Sequence, residues 1–367
     1  MNLLQTIDDK LLLGPGPSTV SPEVYSALKK PTIGHLDPHF LDIMDNIKKM
    51  LRKIFKTKNE LTLPISGTGS AAMESCFVNL IEENDKVLII ENGYFGLRMI
   101  DMAERLKAHV DTVNFEWGKP IDLNVVKDII NKNSYKIVAA VHAETSTGVL
   151  NPIEELSNLI GDDTLFIVDA VTSLGTVDIN VDNWSIDAIY SCSQKGLSCP
   201  PGASPISFSS AAINKLKNRK SKVPNWYLDL SMIINYWEGN SRVYHHTAPI
   251  NMMYALYQGL LNIIDEGHDK VLERHLAAHK YLVNELYKLN IKYLVDPSFR
   301  IPSLNSVVIP DGLDDVHIRS ILLNKYNIEI GGGLGPFSGK IWRIGLMGFA
   351  ANNQSVDRLC CALKEII

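Results

Sequence analysis

"IYSCSQKGLSCPPG", residues 189–202, places Lys195 directly after a short apolar run and directly before a glycine, with prolines and a second glycine close behind. A lysine on a solvated helix face needs no explanation. One at the mouth of a β-run does. "IDAIYS" (186–191) has the β-branched and aromatic content of a strand, and the Pro-Pro-Gly that follows marks a turn. Lys195 is therefore expected just beyond the carboxyl end of a strand.

Working outward, the same texture recurs. "KVLII" (86–90), "KIVAAV" (136–141) and "TLFIVD" (164–169) read as further buried strands. Between them the spacing changes to three and four. Met73, Cys76, Phe77, Leu80 and Ile81 follow "ISGTGS", and a second helical stretch lies near Leu97–Leu106. Short apolar strands separated by helices predict an α/β fold with a mainly parallel sheet covered on both faces. After a long helical pattern around Asp265–Leu289 the order alters. "SVVIP" (306–310), "IEI" (328–330) and "KIWRIGL" (340–346) alternate with helices near Val316–Tyr326 and Ser355–Ile366. The expected division is an N-terminal arm (1–20), a large domain (21–260) and a smaller C-terminal α+β domain (261–367).

The 367 residues are 46% hydrophobic and 21% charged, with a net charge of −5. A mildly acidic chain without a basic block argues against nucleic acid or an anionic membrane as partner. No apolar run reaches the roughly 20 residues that span a bilayer. "MNLLQTIDDK" carries acids where a signal peptide carries bases. Five cysteines, odd in number and without zinc-type spacing, fit a reduced, cytoplasmic compartment. His245 and His246 have no third partner at ligand spacing, so no metal site is expected.

In open α/β sheets, ligands sit beyond the carboxyl ends of the strands. Asp169 closes "TLFIVD", Thr145 follows "KIVAAV", and Gln194 and Lys195 follow "IDAIYS". "SGTGS" (66–70) opens a helix, where backbone N–H groups attract an anion. An anion cup, a carboxylate and a lysine at successive strand ends match the needs of pyridoxal phosphate: a cup for its phosphate, an anion for its ring nitrogen, an amine for its aldehyde.

With these residues placed, the chain resembles the class V aminotransferases of pyridoxal-phosphate fold type I, in particular the alanine–glyoxylate and serine–pyruvate group. The likeness runs from "LLLGPGPSTVSPEV" (11–24) nearly to the end. It rests on "ISGTGS", "ETSTGVLNP", "IVDAVTSLG", "YSCSQKGLSCPPG", "YHHTAP" and "GGLGPFSGKIWRIGLMG". The resemblance implies a seven-stranded-type sheet and a homodimer with shared active sites. Lys195 would join the cofactor aldehyde and Asp169 would face the pyridinium nitrogen. Thr68, Gly69, Ser70 and Gln194 would hold the phosphate, and Phe95 would stack on the ring where many relatives carry tryptophan. Ser70 stands where some relatives have histidine. Thr145 would lie near the ring oxygen, while Tyr244 and Thr247 would reach the neighbouring subunit's phosphate. Arg343, an arginine inside an apolar strand pattern, would clamp the substrate α-carboxylate; the alternative is an internal salt bridge. Gly34 of "PTIGHLDP" would lie close to substrate across the dimer interface, with His35 structural.

The activity implied is transamination of alanine or serine with glyoxylate or pyruvate. Relatives acting on 3-hydroxykynurenine, 2-aminoethylphosphonate or ureidoglycine remain alternatives. Cysteine desulfuration fits poorly, since Gln194 rather than histidine precedes Lys195 and the late cysteines Cys360 and Cys361 lie in a terminal helical pattern. A non-catalytic binding protein would require a broken site, and Lys195, Asp169 and Arg343 are all present.

Overall fold

The computed structural model describes residues 2–239 and 242–367. Seven strands form the main sheet, in the spatial order Leu61–Gly67, Gly202–Phe208, Ala188–Tyr190, Leu165–Asp169, Ile137–Val141, Lys86–Glu91 and His109–Asn114. Gly202–Phe208 runs antiparallel to both neighbours, and every other pair is parallel. The middle strands are buried along nearly their whole length. Continuous Val, Ile and Ala is the composition such doubly covered strands require. Helices Pro38–Phe55, Gly69–Leu80 and Ile250–Glu266 pack on this core through Phe40, Ile47, Phe77 and Met253.

Three strands of this sheet gave no apolar signature. Leu61–Gly67 and Gly202–Phe208 each contain a proline, and Pro64 lies opposite Pro205 in the pairing. Pro64 sits on an edge strand, where a missing N–H costs no ladder bond. Pro205 accepts from the Ser191 N–H at 2.8 Å but returns no donor, and regular pairing with Ala188–Tyr190 runs only from Ile206 to Phe208. His109–Asn114 is an edge strand with one buried residue in six, so its apolar pattern is faint.

A second sheet has the order Leu11–Leu13, Ile328–Gly332, Ile341–Gly345, Leu304–Val308. Its core includes Leu13, Leu282, Leu322, Trp342, Ile344 and Leu359. The first strand, from the expected N-terminal arm, pairs in parallel with the second-last, Ile328–Gly332. The chain then crosses to the main sheet: the Ser18 N–H donates to the Gln194 carbonyl at 2.9 Å and its hydroxyl to the Lys195 carbonyl at 2.7 Å. The helix expected around Asp265–Leu289 is present as His268–Lys288, following helix Ile250–Glu266. Gly267 separates them at φ 92°, a left-handed turn that apolar periodicity does not register.

Candidate active site

Asp169 ends its strand and is 2% exposed. One carboxylate oxygen accepts from the Val171 N–H at 2.8 Å, a local cap. That bond does not offset the loss of water. Burial pushes the Asp169 carboxyl up to about 7, with the charge of Glu144 adding to the rise and Lys195 opposing it. A cationic partner at this position would restore the charged form.

Lys195 stands in a turn fixed from several sides. The Ser191 hydroxyl donates to the Ala170 carbonyl at 2.9 Å, and the Ser193 hydroxyl to the Pro200 carbonyl at 2.6 Å. The Cys199 N–H closes the turn onto the Ser193 carbonyl at 3.0 Å. The Lys195 side chain is buried and its ammonium donates to the Pro15 carbonyl. Burial lowers its pKa, and the nearby positive charge of Arg343 lowers it further. A lysine so placed gives up its proton more readily than one in water, which is what a base at neutral pH requires.

Thr68 precedes helix Gly69–Leu80 without a side-chain cap, leaving the first amides of the helix for a ligand. A side chain at Gly69 would stand 3.2 Å from Cβ of Cys192, so the close approach of these two turns favours glycine. The Gln194 side chain has a buried amide oxygen with no partner among the described residues. Thr68, Gly69, Ser70, Phe95, Asp169, Gln194 and Lys195 meet around one cavity of about 200 Å³, together with Met73, Arg98 and Val171. A larger cleft of about 290 Å³ lies beside Thr164 and Asp187, at the amino ends of the strands, and gathers no lysine or arginine.

Two charged residues here were missed in the sequence. Glu144 is fully buried; its carboxylate accepts from the Phe95 N–H at 3.1 Å, the Ser146 N–H at 2.9 Å and the Ser146 hydroxyl at 2.6 Å. Glu144 thus fixes the start of helix Tyr94–Arg105 and, with it, Phe95. Burial raises its pKa despite these bonds. Arg98 donates to the Ser70 hydroxyl at 2.8 Å, and its guanidinium lies 5.0 Å from the Phe95 ring centre. Its position three residues after Phe95 on one helix face was the available clue.

Arg343 lies within strand Ile341–Gly345 and is 7% exposed. Nε donates to the Gly332 carbonyl at 2.7 Å and one terminal nitrogen to the Thr145 carbonyl at 3.2 Å. No carboxylate lies within ion-pair distance among the described residues, so the internal salt bridge is not formed. Burial lowers its pKa to about 10. Gly34, Tyr244 and Thr247 do not line the cavity and are exposed in the single chain. The Tyr244 hydroxyl is 3.4 Å from that of Thr247, and the His35 ring packs 5.0 Å from Tyr244. His245 and His246 bond to one another through their Nδ1 atoms at 2.8 Å, and His246 Nε2 is 2.7 Å from the Ser66 hydroxyl, just ahead of the cup.

A lysine, a buried carboxylate and an anion cup around one cavity, on this strand order, define a fold type I transferase site. The chain belongs to the class V aminotransferases: the family model described as Aminotransferase class-V matches residues 20–357. It is 39% identical over 366 residues to alanine–glyoxylate aminotransferase of Rattus norvegicus, covering 99% of this chain and 88% of that protein. It is 35% identical over 377 residues to (S)-ureidoglycine–glyoxylate transaminase of Bacillus subtilis, covering 98% and 90%. Among solved structures, alanine–glyoxylate aminotransferase from Nostoc sp. superposes with a TM-score of 0.96 at 48% identity, covering 98% of this chain and 96% of that one.

Proposed function

We propose that this aminotransferase binds pyridoxal phosphate and moves the amino group of alanine or serine to glyoxylate or pyruvate. The relatives named for alanine and glyoxylate support the substrate pair. The donor set supports the cofactor. Helix amides and hydroxyls at one end of the cavity suit a phosphate, and Asp169 suits a protonated ring nitrogen. The unpartnered Gln194 amide, turned over, presents its N–H₂ to the same anion. When bound, the cofactor supplies an electron-withdrawing ring that weakens the substrate Cα–H bond.

The chain's own residues do the rest. Arg343 binds the α-carboxylate with the donors its two backbone bonds leave free, and fixes which face of Cα meets Lys195. Lys195 would be the amine that meets the cofactor aldehyde and the base that takes the proton from the substrate Cα. Asp169 would face the ring nitrogen and hold its proton. Phe95 would cover the ring, and Thr145 would lie near its oxygen. Tyr244, Thr247 and Gly34, exposed in one chain, act at the neighbouring subunit's site in a homodimer. Two separate cores support a large and a smaller domain, with the change falling between Val271 and Ala278 rather than at residue 260. Five unpaired cysteines support a reducing, cytoplasmic setting.

One observation carries this reading: Arg343 is buried, charged and without a carboxylate, within electrostatic reach of Lys195. A half-reaction screen tests it. Enzyme loaded with pyridoxal phosphate is mixed with single amino donors, and loss of the visible band is followed. Glyoxylate or pyruvate is then added to restore it. Bleaching by alanine or serine with recovery on glyoxylate is the expected result. Bleaching only by ureidoglycine, a kynurenine or an aminophosphonate would keep the transferase and overturn the substrates.

A further inference from the structure

The cup at Thr68–Ser70 contains no cation of its own. Arg98 is the nearest candidate to supply one. It comes from a different helix, lines the same cavity, and bonds to the cup at a single atom, the Ser70 hydroxyl, at 2.8 Å. No acidic side chain lies within ion-pair distance of it among the described residues. Its guanidinium also lies over the Phe95 ring, 5.0 Å from the centre, and 5.7 Å from that of Tyr94.

The hydrogen-bond inventory gives this contact a direction. A guanidinium only donates, whereas a serine hydroxyl has one proton and two acceptor sites. Ser70 must therefore accept from Arg98, which leaves its own proton for another acceptor. An anion seated on the helix amides is the acceptor that a cup of this kind provides. Resting on the cofactor reading above, we infer that Arg98 is a positioning residue for the phosphate: it polarises and orients the Ser70 hydroxyl toward the anion and places an uncompensated positive charge behind it. The same guanidinium fixes the Phe95 ring through a cation–π contact. One arginine thereby sets both the phosphate end and the ring-stacking wall of the cavity.

Equilibrium binding to the cofactor-free enzyme tests this, with pyridoxal phosphate and with pyridoxal, which lacks the phosphate. Wild type, Arg98→Met, Arg98→Lys, Ser70→Ala and the Arg98→Met/Ser70→Ala double variant are compared. Arg98→Met is expected to weaken pyridoxal phosphate by about tenfold or more and pyridoxal by no more than about twofold. Arg98→Lys, which keeps a donor and a charge, should recover most of the loss. Against a Ser70→Ala background the penalty for Arg98→Met should shrink, because its route to the phosphate is gone. Equal weakening of both ligands, no weakening, or an unchanged penalty without the Ser70 hydroxyl would overturn the inference while leaving the cofactor reading intact. A wild-type enzyme that binds pyridoxal phosphate no better than pyridoxal would overturn both.

Discussion

Arg343 and Thr145, 198 positions apart in the chain, are joined by a 3.2 Å hydrogen bond from guanidinium to carbonyl. The bond ties the second sheet to the loop beyond strand Ile137–Val141, so the Arg343 guanidinium is held from the main sheet as well as its own. The arrangement satisfies the donors of Arg343 only in part, and its charge is met only at a distance, by Glu144.

Replacing Arg343 with leucine should therefore divide activity from stability. A charge-assisted pair with a carboxylate is worth a few kcal/mol, so kcat/KM for alanine should fall by roughly a hundredfold or more. Removing an unpaired buried charge offsets the loss of its two backbone bonds, so the unfolding free energy should change by no more than about 1 kcal/mol. Steady-state kinetics beside a denaturant titration separates the two. A large stability loss with unaltered selectivity for carboxylate-bearing amines would refute the clamp.

Lys195→Ala should abolish turnover while the protein remains folded. The lysine donates only to the Pro15 carbonyl, whereas its turn is held by the backbone and by Ser191 and Ser193. Single-turnover assays and circular dichroism provide the two readouts. Residual turnover near the wild-type rate would remove Lys195 from the mechanism.

Asp169 makes the cofactor-free enzyme pH-sensitive in a definite direction. Its folded value of about 7 lies above the unfolded value of roughly 3.9. Below about pH 4 both states hold the proton and the group is neutral to stability. As pH rises to 7 the unfolded chain releases the proton while the folded one retains it, so stability falls. The loss by pH 8 is up to about 4 kcal/mol. Melting temperatures of cofactor-free wild type should drop between pH 5 and 8 relative to Asp169→Asn. Parallel curves for the two proteins would show that Asp169 titrates normally.

Gly93 is extended at φ 175°, so its glycine is required by space rather than by backbone conformation. A Cβ there would overlap Cγ and Cδ of Glu144 and stand 2.6 Å from the Ser146 hydroxyl. Glu144 is anchored by three hydrogen bonds and cannot retreat without breaking them. Gly93→Ala should cost about 2–4 kcal/mol and loosen Phe95, with faster cofactor loss on dialysis. Gly161, with nothing within 4 Å of an added Cβ, is the matched control. Equal stability of the two alanine variants would contradict the close packing at Glu144.

The sequence disclosed the parallel strands because doubly covered strands must be apolar throughout, and it disclosed the strand-end residues because polar groups interrupt those runs abruptly. Asp169, Gln194 and Lys195 were legible for that reason. Pro64 and Pro205 hid two strands, since proline is tolerated only where the ladder lacks or forgoes a donor. Arg98 was passed over because an arginine on a helix is ordinarily solvated; its spacing from Phe95 marks a shared face, but only the fold reveals that this face turns to the Ser70 hydroxyl. Glu144 lay within a motif quoted for Thr145, yet its cap on a helix some fifty residues earlier is a tertiary contact. Gly34, Tyr244 and Thr247 gather on an outer surface, which a single chain leaves without the cavity they were expected to serve.

The strand Leu11–Leu13 pairs with Ile328–Ile330, and the segment just after it holds the turn of Lys195. During synthesis its partner emerges only after some three hundred further residues, on the order of 15–60 s at ordinary translation rates. Until then this apolar tripeptide has no sheet to join, and the Lys195 turn lacks one of its walls. All seven strands of the main sheet have thus emerged well before the partner of the first strand does. The Lys195 turn gains that wall only once Ile328–Ile330 is available for Leu11–Leu13 to pair with.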